Sequence, residues 1–336
     1  MIIIKENYSI KPHNTLGIDV KARYFTKTET LDELKEVLEG YREYFPFLII
    51  GEGSNILFTR DFNGIIIQPA ITGVTIIEND SEHCIVEVGA GENWDDFVNW
   101  SVENKLGGIE NLSLIPGSAG SSPIQNIGAY GVEVKDVIHS VKYLDLETFE
   151  TVTLLNHDCQ FGYRNSIFKN HLKNRFVIYS VVFSLCHNPV FNTSYGNLQA
   201  EAEKSGELNL QTMRDAVIRI RRSKLPDPKV IGNAGSFFKN PVVEVALSDQ
   251  IRVKYPQMPS YPVSEEFVKI PAGWLIEQCG WKGKRTGKAG VHEKQALVLV
   301  NYGDASGTDI YDLAMKIKDS VFTEFGIRLE PEVNII

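Results

Sequence analysis

The stretch FPFLIIGEGSNILF, residues 45–58, decides the fold by the kind of element its glycines lead into. The apolar run at 45–50 reads as a buried strand. The turn behind it, Gly51-Glu52-Gly53-Ser54-Asn55, has the position of a dinucleotide fingerprint but lacks the third glycine. It runs into ILF and, after RDFNG, into a second strand, GIIIQPAI. A Rossmann unit would instead enter a helix whose N-terminus receives the pyrophosphate, so this is not a Rossmann turn. Gly89-Ala90-Gly91-Glu92-Asn93-Trp94 fails the same test at Trp94, which stands where a glycine would permit close helix packing, and it reads as a plain strand-to-helix turn.

Upstream, TLDELKEVLEGYREY at 30–44 sets Thr30 and Glu33 in capping-box register and Leu31, Leu34 and Leu38 on one stripe, which predicts a helix. Downstream, GVTIIEND and CIVEVGAG read as strands and NWDDFVNWSVENKL as a helix. VIHSVKYLDL, FETVTLL and FVIYSVVFSL read as strands of one antiparallel or mixed sheet. From about residue 207 helices dominate, at 209–222, 246–255, 272–279 and 308–325. The last has Ile310, Leu313, Ala314, Ile317 and Val321 at helical spacing and Gly326 as its C′ stop. A final strand, IRLEPEV, comes after it. The fold class is α+β, strand-rich first and mixed second, with no internal repeat and no low-complexity linker.

At roughly 150 residues per domain, 336 residues make two or three domains. Lys plus Arg number 34 and Asp plus Glu 43, a formal charge of −9, which disfavours nucleic acid as the main partner while allowing a local basic site for a small anion. Cys84, Cys159, Cys186 and Cys279 are scattered without CxxC spacing, and none of the seven histidines has metal-ligand spacing, so neither a disulfide framework nor a metal site is expected. His292, close to Gln295, reads as a satisfied loop histidine. No window is apolar enough for a membrane span and MIIIKENYSI does not read as a signal peptide, so the cytoplasm is the expected location.

The second glycine-rich segment, IPGSAGSSPIQNIGAYG at 115–131, carries four glycines, three serines and the amide pair Gln125 and Asn126. No GKS or GKT is present, which excludes a P-loop. Glycines allow close backbone approach, and successive free N–H groups with serine hydroxyls can surround a diphosphate. From composition alone, a long structural loop and a cofactor cradle are both open.

GEGSNILF, LIPGSAGSSPIQNIGAYG, FGYRNSIFK, KLPDPKVIGNAGSFFKNPVV and LEPEV occur in that order. Together they closely resemble the UDP-N-acetylenolpyruvoylglucosamine reductase family, over nearly the whole chain from about Asn14. The resemblance implies a vanillyl-alcohol-oxidase-type two-part FAD-binding fold plus a third α+β domain that binds the substrate. The parts are 1–70, to which the C-terminal strand returns, 71–206, and 207–328. It implies FAD as cofactor, NADPH as reductant, and UDP-N-acetylglucosamine enolpyruvate as substrate, with NADPH and substrate taking turns in one cleft. A monomer acting in peptidoglycan precursor synthesis is expected. By resemblance, Gly51, Gly53, Ser54 and Asn55, with Gly117, Ser121, Ser122, Gln125, Asn126 and Gly128, line the FAD.

The implied reaction adds hydride and then a proton across an enol-ether double bond conjugated with a carboxylate. The protein must hold that carboxylate, stabilise an enolate-like intermediate and protonate it. Arg164 in GYRNS matches the family's active-site arginine, a permanently charged fork suited to a carboxylate. Ser236 in GNAGSFF matches its general acid, a role that needs a dry site and strong proton demand. Glu332 in LEPEV matches the glutamate thought to stabilise the enol with Arg164, while Glu330 reads as a solvated strand acid. These three can act together only through the tertiary fold.

Between 214 and 229 lie Arg214, Arg219, Arg221, Arg222, Lys224 and Lys229, most of which read as a solvated helix face. Arg221 and Lys224 match substrate-binding positions, as do Asn240 in KNP and Gln295 in KQALVL. Tyr195 matches the loop tyrosine that closes over the UDP moiety in the family's longer subclass, and Tyr130 is expected near flavin and substrate.

Relatives commonly run further than four residues past Glu332; if such a tail clamps the last strand, a looser hold on that glutamate is the expectation. Two rival readings remain. A flavin oxidase of the same fold often carries a covalent-flavin His or Cys, and 115–131 contains neither. A non-catalytic nucleotide-sugar or flavin-binding protein would not need Arg164, Ser236 and Glu332 all to fit.

Overall fold

The computed structural model describes residues 2–41 and 46–336. The last residues of the expected first helix, 42–44, and the first of the expected strand, 45, lie outside the described residues. The chain divides into two compact units, one formed by Met1–Tyr8, Ala22–Glu52 and Asn63–Ser223, the other by Ser9–Lys21, Gly53–Phe62 and Lys224–Ile336.

The first unit holds two sheets. One orders Lys5–Ser9, Lys21–Thr28, Phe62–Pro69 and Phe47–Ile49, the last pair parallel. Helix α1 (Leu31–Tyr41) buries Leu34, Val37 and Leu38 in a cluster with Ile65, Ile67, Leu144, Leu146 and Val177. The Thr30 hydroxyl accepts the Glu33 N–H at 3.1 Å, and the Glu33 carboxylate accepts the N–H of Glu29 at 2.8 Å, one residue earlier than in the expected box. Thr30→Ala should therefore cost about 1 kcal/mol. A urea midpoint lowered at unchanged slope is the expected reading, and an unmoved midpoint would remove the cap from the account.

The second sheet is antiparallel throughout, in the order Thr151–Leu155, Ile138–Asp145, Phe176–Cys186, His83–Gly89 and Val74–Asn79. Helix α2 (Trp94–Glu103) comes after the 83–89 strand, and the Asn93 side chain caps it by accepting the Asp96 N–H at 3.1 Å. Trp94, 1% exposed, packs on Phe97 and Phe183 and donates its indole N–H to Leu112 O at 2.9 Å. The residue that disqualified a dinucleotide turn is thus a core anchor. Helices α3 (Leu198–Glu203) and α4 (Leu210–Lys224) pack through Leu198, Ala202, Met213, Ala216, Val217 and Ile220.

The second unit joins the antiparallel sheet Gly232–Ser236, Val298–Asn301, Ala289–Val291 and Arg285–Thr286 to a small sheet of Val242–Glu244, Phe267–Lys269 and Tyr261–Pro262. Helices α5 (Val245–Lys254), α6 (Ala272–Gln278) and α7 (Gly307–Phe325) complete it. In α7 Ile310, Leu313, Ala314, Ile317 and Val321 are buried, and Gly326 ends the helix in the left-handed conformation, φ 68°. The IRLEPEV segment does not form the expected continuous strand. Pro331 makes an isolated bridge to Phe238, and the regular strand is Asn334–Ile335, parallel to Ile56–Leu57. Pro331 has no N–H to give a ladder, so pairing is broken there.

Candidate active site

Within the first unit the two glycine-rich segments come together. A Cβ on Gly51 would lie 2.8 Å from Ser118 Oγ, so any larger residue here would make that hydroxyl turn aside. The Glu52 carboxylate fastens the junction, accepting from Asn93 Nδ2 at 2.7 Å and from the Gly117 N–H at 3.2 Å, while Gln68 Nε2 donates to Gly51 O at 2.7 Å.

Of the 115–131 segment, the N–H groups of 117–122 are not free. All six donate inside the protein: Gly117 to Glu52, Ser118 to Ser121 Oγ, Ala119 to Glu92 O, Gly120 to Ala90 O, Ser121 to Ser118 O and Ser122 to Ala119 O. A 3-10 turn at Ala119–Ser121 takes up the N–H groups of Ser118, Ser121 and Ser122, and neighbouring segments take the other three. Ser122 and Asn126 are buried. The Ser122 hydroxyl donates to Ala119 O, and Asn126 donates to Glu133 and Gly162 O while accepting the Lys135 N–H. The N–H groups of Gly51 and Glu52 have no partner among the described residues. Gln68 Oε1 and Thr28 Oγ1 are buried without one. Such orphaned polar atoms beside a glycine-lined turn fit a bound group rich in donors and acceptors, as FAD is.

Arg164 occupies the tip of a tight turn in which Gly162 and Asn165 exchange backbone hydrogen bonds at 3.0 and 3.1 Å, and its φ is 52°. A non-glycine residue held there stores roughly 1 kcal/mol of strain, a feature that clusters at functional sites. Its guanidinium donates to Gly128 O at 2.8 Å and Asn126 O at 3.4 Å, on the loop that the resemblance assigns to the cofactor.

Tyr130, also left-handed at φ 50°, meets Tyr195 edge-on with ring centroids 5.8 Å apart. Asn111 Nδ2 donates to both Tyr130 O and Asn192 O, and Asn192 Nδ2 donates to Gly131 O, so the two tyrosine loops are tied together. Burial holds the Tyr130 phenol above its usual pKa against the pull of Arg221. Arg221 has a buried Nε without a partner. Burial pulls its guanidinium below the ordinary value, Tyr130 and Asp95 support its charge, and Arg164 opposes it. Arg164, Arg221, Tyr130 and Tyr195 therefore form one cluster.

Sequence reading missed Asp95 and misplaced Arg214. Arg214 is not on a solvated face: its side chain is 8% exposed and forms a fork with Asp95 at 2.6 and 3.1 Å. Burial raises the Asp95 carboxyl, but Arg214 and the Leu114 N–H outweigh that and leave it below the usual carboxylate range. An acid in the first turn of a helix is ordinary dipole chemistry, so nothing in the sequence marked it.

In the second unit Ser236 ends the Gly232–Ser236 strand at an irregularity in register with Val298, after Gly235 at φ 67°. Asn233 fixes this bulge, accepting the Gly235 N–H and donating to Pro226 O and Ile231 O. Ser236 is exposed between the buried Ala234 and Phe237. The Glu332 N–H donates to Phe237 O at 2.8 Å, which brings Glu332 and Ser236 onto neighbouring backbone. Asn55 donates its side-chain amide to Glu332 O at 3.2 Å. Beyond Glu332, Ile336 O accepts from both the N–H and the hydroxyl of Thr59, which ties the backbone of this segment to the Gly53–Phe62 stretch. Glu330 is exposed and pairs with Lys239 at 3.3 Å.

Asn240 Oδ1 accepts the Ala272 N–H at 2.9 Å, and a Cβ on Gly273 would lie 3.2 Å from Gln295 Oε1, so both amides gather at the start of α6. Lys224 is exposed at the end of α4, and His292 Nδ1 accepts the Lys294 N–H in its loop. Among the described residues no cluster of three or more His, Cys, Asp or Glu could hold a metal, and no helix is long and apolar enough to cross a membrane.

The FAD binding domain family matches residues 22–154, and the C-terminal domain family of UDP-N-acetylenolpyruvoylglucosamine reductase matches residues 227–336. The chain is 50% identical over 336 residues to UDP-N-acetylenolpyruvoylglucosamine reductase of Flavobacterium johnsoniae, covering 99% of each. It is 47% identical over 334 residues to the Pseudomonas putida reductase of that name, covering 98% of each. The crystal structure of the Thermus caldophilus reductase shares its fold, with a TM-score of 0.70 at 22% identity over 100% of this chain and 99% of that one. From end to end, then, this chain belongs to the UDP-N-acetylenolpyruvoylglucosamine reductase family.

Proposed function

We propose that this enzyme reduces the enolpyruvyl group of UDP-N-acetylglucosamine enolpyruvate with NADPH to give UDP-N-acetylmuramate, in the cytoplasm and for peptidoglycan synthesis. The observation that carries the reading is Arg164, held in a strained turn with its guanidinium on the carbonyls of Asn126 and Gly128. Bound FAD supplies the two-electron redox chemistry between NADPH and substrate. Residues 1–70 and 71–206 hold it, through Gly51, Gly53, Ser54, Asn55, Gly117, Ser121, Gln125 and Gly128, with Gln68 added. Ser122 and Asn126 keep the cradle in shape from inside. Residues 207–328 take the nucleotide, with Lys224, Asn240 and Gln295 as its partners.

Arg164 binds the enolpyruvyl carboxylate and tightens on it as charge accumulates there. Glu332 supports the enol form, and the Ser236 hydroxyl delivers a proton to the carbon next to the carboxylate. Tyr130 and Arg221 line the substrate, and Tyr195 closes over it, as in the longer subclass. Tyr195→Ala removes an aromatic pair of a kind worth about 0.5–1.5 kcal/mol. It should raise the substrate KM about 2- to 10-fold while NADPH still bleaches the flavin at the wild-type rate. An unchanged KM would take Tyr195 out of the substrate site.

The deciding test is anaerobic. The purified yellow protein should bleach with NADPH and regain its colour on addition of UDP-N-acetylglucosamine enolpyruvate without oxygen. A flavin that NADPH cannot bleach would favour the non-catalytic binding protein, and bleaching without reoxidation by this substrate would favour another oxidoreductase.

A further inference from the structure

The Asp95 carboxylate accepts three hydrogen bonds from two distant segments: Arg214 Nη1 at 2.6 Å, Arg214 Nη2 at 3.1 Å and the Leu114 N–H at 2.5 Å. Leu114 stands just before the loop of residues 115–131, with φ 59°, in the left-handed region that glycine occupies without cost and leucine does not. Its amide is pointed at Asp95, and that bond holds the entry to the cofactor loop in a conformation the side chain disfavours. On the other side, Arg214 is fixed on α4, and Arg221 stands seven residues later, two turns along the same helix face. Arg221 is the cation with the unpartnered buried Nε, repelled by Arg164, and Asp95 is a carboxylate whose charge supports it, beside the Tyr130 phenol.

Resting on the reductase function, we propose that Asp95 is a positioning residue: one carboxylate sets the cofactor loop through Leu114 and sets Arg221 through Arg214, in the arrangement the anionic substrate needs. The sign of the effect separates this from its alternatives. If Asp95 acted only through its charge, neutralising it would raise the positive potential beside Arg164 and Arg221 and tighten anion binding. If it were merely structural, the folded holoenzyme would bind substrate as before. Positioning predicts weaker binding.

The experiment uses Asp95→Asn and Arg214→Lys holoenzymes, reduced with NADPH and mixed anaerobically with increasing UDP-N-acetylglucosamine enolpyruvate. The expected result is a half-saturating concentration raised about 10-fold in Asp95→Asn and at least 3-fold in Arg214→Lys, which keeps the charge and the helix, with maximal reoxidation rates changed less than 3-fold. Combined with Arg221→Lys, Asp95→Asn should weaken binding by less than it does alone, because the two act through one group. Half-saturation that is unchanged or lowered in both single variants would overturn the proposal, as would full additivity. Hydrogen exchange supplies a readout independent of turnover. In whichever variant folds, amides of 112–131 should exchange at least 10-fold faster, with strand Ile138–Asp145 unchanged. Equal protection of the loop would sink the positioning role even if wild-type protein proved unable to reoxidise with this substrate, the outcome that would count against the functional reading itself.

Discussion

Ser236→Ala should bleach with NADPH at close to the wild-type rate and then stay bleached when UDP-N-acetylglucosamine enolpyruvate is added, its reoxidation slowed by about 10²- to 10⁴-fold, the usual contribution of a positioned general acid. Ser236 stands beyond the left-handed Gly235, with the Asn233 side chain holding the bulge and the buried Phe237 and Phe238 behind it. The strand therefore presents a small hydroxyl from a rigid support, and removing one oxygen leaves that support in place. The two half-reactions divide the question. NADPH asks nothing of a proton donor when it gives up hydride, whereas the substrate carbon must be protonated. A stopped-flow trace showing equal losses in both halves would assign Ser236 to binding or packing and not to proton delivery.

Arg164→Lys should be nearly as damaging, with the maximal rate of flavin reoxidation by substrate falling about 10²- to 10³-fold, as when one stabilising donor is removed from a developing oxyanion. The positive charge survives this change, so a purely electrostatic role would show little loss. What disappears is the planar fork, whose Nη1 and Nη2 rest on Asn126 O and Gly128 O. An ammonium cannot span those carbonyls and meet a carboxylate bidentately in one geometry. If the variant raised KM and left the maximal rate alone, Arg164 would be holding the substrate equally in ground and transition states, and its proposed part in stabilising the intermediate would fall.

Much of the local structure was legible because its causes are local. Helix α7 arises from apolar spacing and ends at Gly326 because the left-handed C′ position favours glycine. The antiparallel central sheet arises from its apolar runs, and Trp94 rightly removed a dinucleotide turn. The candidate site rests on strings such as GYRNS and GNAGSFF, which match a family's motifs but do not show which side chains they will meet. The contacts that escaped depend on separation: Asp95 and Arg214 are 119 positions apart, and Asn55 and Glu332 are 277 apart. No spacing rule reaches across such distances. In the 115–131 segment, which composition left open between a structural loop and a cofactor cradle, the hydroxyls of Ser121 and Ser122 donate to the carbonyls of Ser118 and Ala119, a local closure that composition does not reveal.

The second unit is assembled from three separated stretches of chain. Asn301 donates to Leu16 O, the Asn233 N–H to Thr15 O, and a Cβ on Gly307 would lie only 1.7 Å from Phe58 O. Ile10, Leu16, Ile18, Leu57 and Phe58 are all buried. A fragment cut to start at residue 224 would expose the apolar surface those residues cover and would lack the strand Ile56–Leu57 that pairs with its own end. Genetic dissection should therefore fail to yield this half as a separate soluble piece, and the segment bearing Ser236 and Glu332 can be transplanted into another protein only with its two early stretches supplied beside it.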